Sequence, residues 1–315
     1  MKINTSKKPH IEVAKALSKA LKNHAHSDVL LLLAGGSALQ VLDELSLDSV
    51  DEYTTIMMMD ERFSSNPLEN NFIQMTGHAF YQRAKANGAS FISSVPLDSE
   101  SNEKFAVRVQ NKLNLFYTEH PKVTTIALFG IGPDGHTAAI FPMPMEDFID
   151  TYAQGFLYVP VKYFKNTFPK RSSITPQFIH RYIDEAYVYA TGESKLSVLK
   201  SLHEPCELHQ MPANIHHRID SKLFTDQPVG KNQTNNNLLT TALLVCAMFS
   251  LFTFIKVGDT ENLATVLKAP INITGGCSED GKNRKTVIVN EINEISSTQY
   301  TQDDHTYIFS EENCQ

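Results

Sequence analysis

Four times along this chain a short apolar run breaks off at glycine or charged residues. Val29–Leu33 stops at Ala34-Gly35-Gly36-Ser37, and Thr54–Met59 stops at Asp60-Glu61-Arg62. Val123–Phe129 stops at Gly130-Ile131-Gly132-Pro133-Asp134-Gly135-His136, and Ala186–Ala190 stops at Thr191-Gly192-Glu193-Ser194-Lys195. Continuous apolar runs this short suit strands buried on both faces, as in a parallel sheet. Between them lie helical patterns. Ile11, Val13, Ala14, Leu17, Ala20 and Leu21 share one helix face within residues 10–23, and Ala38, Val41, Leu42 and Leu45 share another. A further helix is expected over Leu196–Leu202. Strand, turn and helix in alternation predict an α/β fold, with a Rossmann-like, mainly parallel sheet flanked by helices. Ligands of such sheets bind at the carboxyl ends of the strands. The four polar clusters therefore point to one composite site.

The pattern changes near residue 225. Residues 1–225 read as the α/β domain, and the polar, Asn-rich stretch 226–237 reads as a linker. Leu238–Ile255 follows, 18 residues without a charge, flanked by Lys231 and Lys256. That length is near the lower limit of a transmembrane helix, and membrane association through this run is one expectation. A buried apolar helix is the other. The tail, 256–315, is polar, with short strands expected over Thr286–Val289 and Thr306–Phe309 and a turn region at Gly275–Gly281. If the apolar run spans a membrane, Cys277 and Cys314 lie outside it and are candidates for a disulfide. Cys206 and Cys246 complete the set. No CxxC pair occurs, so neither a zinc ribbon nor a thioredoxin-type site is expected. The opening MKINTSKKPH has no apolar core of a secretory signal, so the α/β domain is expected in the cytoplasm. A net charge of −7 argues against a nucleic-acid partner. It leaves room for a local cationic pocket.

The residues at the strand ends suggest what that pocket handles. Gly35, Gly36 and Ser37, between a strand and a helix, suit close approach of backbone N–H groups to an anion. An ordinary βα turn has the same composition. Arg62 can bind a phosphate or carboxylate through two parallel hydrogen bonds. Asp60 beside it either holds the arginine or moves a proton. His136 carries an imidazole, a group suited to take a proton from water, with Asp134 orienting the imidazole or the substrate. Arg171 and Lys195 are candidate phosphate contacts. Lys195 stands at a helix start, where a cation opposes the helix dipole and gains if it meets an anionic ligand.

Together these segments resemble the 6-phosphogluconolactonase family. Gly130–His136 with Thr137-Ala138-Ala139-Ile140-Phe141-Pro142 is similar to that family's GxGxDGHTASLFP stretch. Asp60-Glu61-Arg62 resembles its DER segment, Glu69-Asn70-Asn71-Phe72 its SNY-like sequence, and Leu33–Ser37 its LSGGST loop. Arg171–Thr175 resembles its RITLT segment, Thr191–Lys195 its TGxxK segment, and Pro212-Ala213 its late PA pair. The resemblance covers about residues 10–225. It implies hydrolysis of a sugar-phosphate lactone, with His136 as general base on water. It implies phosphate binding by Gly35–Ser37, Arg171 and Lys195, with Arg62 positioning the substrate or stabilising an oxyanion. It implies no cofactor and no metal. Related glucosamine-6-phosphate deaminases carry an acidic segment after the DGH motif, where this chain has Thr-Ala-Ala-Ile-Phe-Pro. A non-catalytic sugar-phosphate-binding module remains the reading from a different class. The oligomeric state is not legible. Two departures stand out: Ala38-Leu39 where the family has Thr-Pro, and Asn70 where it has Ser.

Overall fold

The computed structural model describes residues 1–229, except 49, 163–166 and 205, and the backbone of four strands beyond residue 270. The chain divides into two units, Met1–Gln233 and Thr234–Gln315. The first unit is α/β. It contains β1 (Lys2–Thr5), β2 (Val29–Leu33), β3 (Thr54–Met58), β4 (Asp60–Arg62), β5 (Ser90–Ile92), β6 (Thr124–Gly130), β7 (Tyr158–Lys162), β8 (Lys170–Ile174), β9 (Glu185–Tyr189) and β10 (Lys222–Thr225). Seven of these form one sheet in the order β1-β10-β9-β6-β2-β3-β5, with every pair parallel.

The sheet grows in opposite directions from β2. From there the chain steps through β3 to β5 on one side and through β6 to β9 on the other. Loops leaving the carboxyl ends of β2 and β6 therefore diverge, and a crevice opens between them. Gly35–Ser37 and Gly130–His136 are those two loops.

β2 is the centre of the core because nothing in it requires water. All five residues, Val29 to Leu33, are at most 2% exposed. Leu31 pairs with Ile56 of β3 and Ile126 of β6, both fully buried. The helix Pro9–Asn23 lays Val13, Ala14, Leu17, Ala20 and Leu21 onto the sheet and leaves Ile11 half-buried. Pro9 suits its first turn, where a backbone N–H would lack a partner.

Two local expectations are corrected. The segment after Gly35 is not an α-helix but a run of 3-10 turns, Gly36–Glu44. Its buried residues repeat at intervals of three, Ala38 with Val41 and Leu39 with Leu42, a period that suits the tighter turn. Asp60–Arg62 does not merely end a strand. It forms β4, which leaves the main sheet and joins β7 and β8 in a small antiparallel sheet of order β4-β8-β7.

The second unit contains the strands β11 (Ile271–Thr274), β12 (Arg284–Val289), β13 (Ile295–Gln302) and β14 (His305–Phe309), a four-stranded antiparallel meander. Residues 238–255, the Gly275–Gly281 turn, Cys246, Cys277 and Cys314 lie outside the described residues. Among the described residues no helix is long and apolar enough to cross a membrane. Cys206 is a free, half-buried thiol.

Leu31→Ala truncates the central, fully buried side chain of β2. It should cost about 3 kcal/mol, read as a lower denaturation midpoint with an unchanged slope.

Candidate active site

His136 owes its position to the closure of its loop. Gly132 N–H donates to the carbonyl of His136 at 2.9 Å, and Gly135 N–H donates to the carbonyl of Gly132 at 3.0 Å. The imidazole lies directly over the backbone of Gly132. A Cβ there would come within 2.1 Å of the ring and 2.8 Å of the Asp134 carboxylate. Asp134 Oδ1 stands 2.5 Å from His136 Nδ1 and also accepts the His136 backbone N–H at 3.2 Å. Burial raises the Asp134 pKa, but the hydrogen bond and charge of His136 outweigh it and hold the carboxyl below its usual range. An ionised Asp134 requires the proton on Nδ1, which leaves Nε2 as the basic nitrogen. Nε2 has no protein partner among the described residues, and the ring rests against Phe141 at 4.8 Å.

The small sheet supplies the charges. Side chains alternate along β4, so Asp60 and Arg62 share one face and Glu61 takes the other. Register places Arg62 opposite Arg171 and Asp60 opposite Ser173. Two like charges directly across a strand pair repel. Here the repulsion is offset from two sides. Arg171 Nη1 lies 3.9 Å from Asp60 Oδ2, with both side chains about nine-tenths buried. The guanidinium of Arg62 packs over Phe168 at 4.8 Å, and that of Arg171 over Phe141 at 5.4 Å. Burial lowers the Arg171 pKa and raises that of Asp60, while the opposite charges of the pair act against both shifts. Arg62 Nη1 donates to the Glu69 carbonyl at 3.2 Å, but its buried Nε has no partner among the described residues. Asp60 feels His136 electrostatically, and Arg171 feels Asp134. Phe141 touches both His136 and Arg171. The five residues Asp60, Arg62, Asp134, His136 and Arg171 thus form one cluster.

Glu61 works on the opposite face. It is fully buried and accepts the backbone N–H groups of Asn71 and Phe72 and the hydroxyl of Ser94, at 2.5, 3.0 and 2.7 Å. Burial pushes its pKa up to about 8 in spite of these donors. Through Asn71 it reaches the first loop. Asn71 Nδ2 donates to the Asp60 carbonyl at 3.1 Å, and its carboxamide presses on Gly35, where a Cβ would meet it at 2.2 Å. Gly35 therefore has no room for a side chain, while Gly36 and Ser37 are exposed and line a hollow with Gln40, Asp43, Gln74 and His78. Asn70 takes the helix-capping role a serine would fill, accepting Ile73 N–H at 2.9 Å. Lys195 stands at the end of β9 in a 3-10 turn, Glu193–Lys195. It is half-buried, it makes no hydrogen bond or ion pair with a described residue, and burial lowers its pKa. It follows the carboxyl end of β9, and its charged neighbour is Asp226 rather than a member of the cluster. Among the described residues no three His, Cys, Asp or Glu side chains are grouped to hold a metal ion.

A family model described as glucosamine-6-phosphate isomerases/6-phosphogluconolactonase matches residues 5–225. The chain belongs to that family. The 6-phosphogluconolactonases of two Helicobacter pylori strains are 29% and 32% identical to it over 126 and 124 residues, which is 39% of this chain and 51% of each relative. The chain spans about half the length of the curated relatives it matches. Among solved structures, a 6-phosphogluconolactonase from Shewanella baltica superposes with a TM-score of 0.58 at 23% identity, covering 71% of this chain and 95% of that one. At that identity the likeness speaks to fold, and it is the same fold.

Relative to the family motifs, sequence reasoning missed Phe168, Asn71 and the anchoring role of Glu61. Phe168 belongs to no motif, and nothing in its neighbourhood marks it. Glu61 has a signal in hindsight: a strand alternates, so adjacent Asp and Glu residues must face opposite ways.

Gly132→Ala should push the imidazole off Asp134 with little loss of stability, visible as a shifted His136 ring resonance. The Asp134 pKa is lowered by folding, so its contribution to stability is present above the unfolded value and lost as pH falls through the folded one. The melting-temperature advantage of wild type over Asp134→Asn should be present near pH 5 and shrink below about pH 4.

Proposed function

We propose that this chain hydrolyses 6-phospho-D-glucono-1,5-lactone to 6-phosphogluconate. The observation that carries the reading is the Asp134–His136 pair, whose basic nitrogen faces no protein group, beside two arginines placed opposite one another. Names borne by relatives of the same family point to the same substrate. In this mechanism His136 Nε2 takes a proton from water as the oxygen attacks the lactone carbonyl carbon. Asp134 stabilises the imidazolium that results. The tetrahedral oxyanion then collapses, the bond from the carbonyl carbon to the ring oxygen breaks, and His136 returns the proton to that oxygen. The products are a free hydroxyl and a carboxylic acid, which ionises and releases the second proton of the water to solvent. Arg62, with an unpartnered Nε, is assigned to the substrate or the oxyanion. Arg171, Lys195 and the backbone at Gly35–Ser37 are assigned to the phosphate. Asp60 holds Arg171 in place rather than moving a proton, since the arginine is its charged neighbour.

The family also contains deaminases. Their reaction needs further proton transfer, for which an acid after the histidine is suited. Here Thr137 to Phe141 is buried and carries no carboxylate, which favours the lactonase reading. Membrane attachment through 238–255 remains a separate proposal, supported by the charge-free run in the sequence. It requires the full-length chain to leave the soluble fraction without detergent.

The decisive assay follows acid release from freshly made lactone above its spontaneous rate. His136→Ala should lower kcat by about 10²–10⁴-fold with the fold retained. Ammonia release from glucosamine 6-phosphate would support the deaminase instead. Binding of phosphosugar without turnover would support a non-catalytic module.

A further inference from the structure

Behind the His136 loop lies a chain of buried polar groups that the proposed chemistry does not use. Thr137, His216 and Ser221 are each 0% exposed. Thr137 Oγ1 donates to the carbonyl of Gly130 at 2.9 Å, so its single proton is committed. Its other neighbour, His216 Nε2 at 3.0 Å, must therefore be the donor to it. In a neutral imidazole Nδ1 is then an acceptor. It stands 3.1 Å from Ser221 Oγ, which must donate. Burial drives the His216 pKa down to about 3, consistent with a neutral ring. Phe129, the penultimate residue of β6, packs edge-on against that ring at 4.8 Å.

The direction of every bond in the chain is thus fixed: Ser221 to His216, His216 to Thr137, Thr137 to Gly130. Gly130 and Thr137 are the two ends of the catalytic loop. The chain closes the loop at its base and ties it to the residue just before β10. We propose that His216 is a positioning residue for the general base: as its Nε2–H tautomer it holds Thr137 across the loop mouth and so sets where His136 stands. This rests on the lactonase reading only for its kinetic arm.

The first measurement is independent of turnover. Nitrogen-15 spectra of the wild-type full chain should show His216 with a protonated Nε2 and a bare Nδ1 at neutral pH. The opposite tautomer, or a doubly protonated ring, overturns the proposal. The second compares His216→Leu with His216→Gln, and adds Thr137→Val. Leucine removes both nitrogens, whereas the glutamine amide can still donate to Thr137 and accept from Ser221. His216→Leu and Thr137→Val should each lower kcat by about 10- to 100-fold with KM nearly unchanged, and shift the His136 ring resonances. His216→Gln should recover most of the loss. Folded leucine and valine variants with wild-type kcat and unmoved His136 resonances overturn the role. If His216→Leu does not fold, Thr137→Val and the tautomer decide. If the wild type has no lactonase activity, that reading falls, and the tautomer and the His136 resonances still decide this one.

Discussion

Everything at the site depends on the reversal of strand order at β2. A strand with five fully enclosed apolar residues has only one place in an α/β fold, the middle of the sheet. Once it is there, the next strands must be added on one side and then on the other. The two loops at its upper edge separate, and a crevice exists before any catalytic residue is chosen. The Gly35 loop follows β2 and the His136 loop follows β6, the two strands at which the order reverses. The hydrophobic effect, which is indifferent to chemistry, thereby fixes where chemistry can occur.

The electrostatics are added by a second, smaller constraint. β4 continues from the end of β3 after a single residue, Met59, and turns into another sheet. That change carries Asp60 and Arg62 from the end of a parallel strand into antiparallel register with β8. Two guanidiniums face each other there with one close carboxylate, two phenyl faces and one unpartnered Nε among them. Such a pair is costlier without an anion nearby than with one. Two arginines are thus gathered at one place although the whole chain is acidic, because net charge constrains solubility and steering but not the field around one pair of side chains.

The sequence revealed most of the frame, because buried parallel strands announce themselves as unbroken apolar runs. β2, β6 and β9 could be placed to within about a residue on that ground alone. His136, Asp134, Asp60, Arg62 and Arg171 could be nominated because they cluster at strand ends, and the structure gathers all five. What could not be read is whatever depends on contacts distant in sequence. Phe168 stacks on Arg62 from a segment 106 positions away. Glu61 binds backbone N–H groups, which leave no trace in side-chain identity. The 3-10 character of residues 36–44 was hidden because the same apolar residues satisfy either period over two turns.

The two glycines that matter most were legible as types but not as reasons. A glycine at a strand end is read as a bend or as space for a ligand. Gly35 and Gly132 are instead contact surfaces for side chains of the protein itself. Asn71 occupies the space over one and His136 the space over the other. Each replaces a flexible turn by a packed one, so the loops are rigid for the same reason that they lack side chains. Under the proposed lactonase reading, a base held this way would need little rearrangement when substrate arrives, and preorganisation of that kind contributes to rate without any additional contact to the substrate. The His136 loop is thus best understood as part of the core that reaches the surface, with Gly132 beneath His136 and Thr137 closing its base.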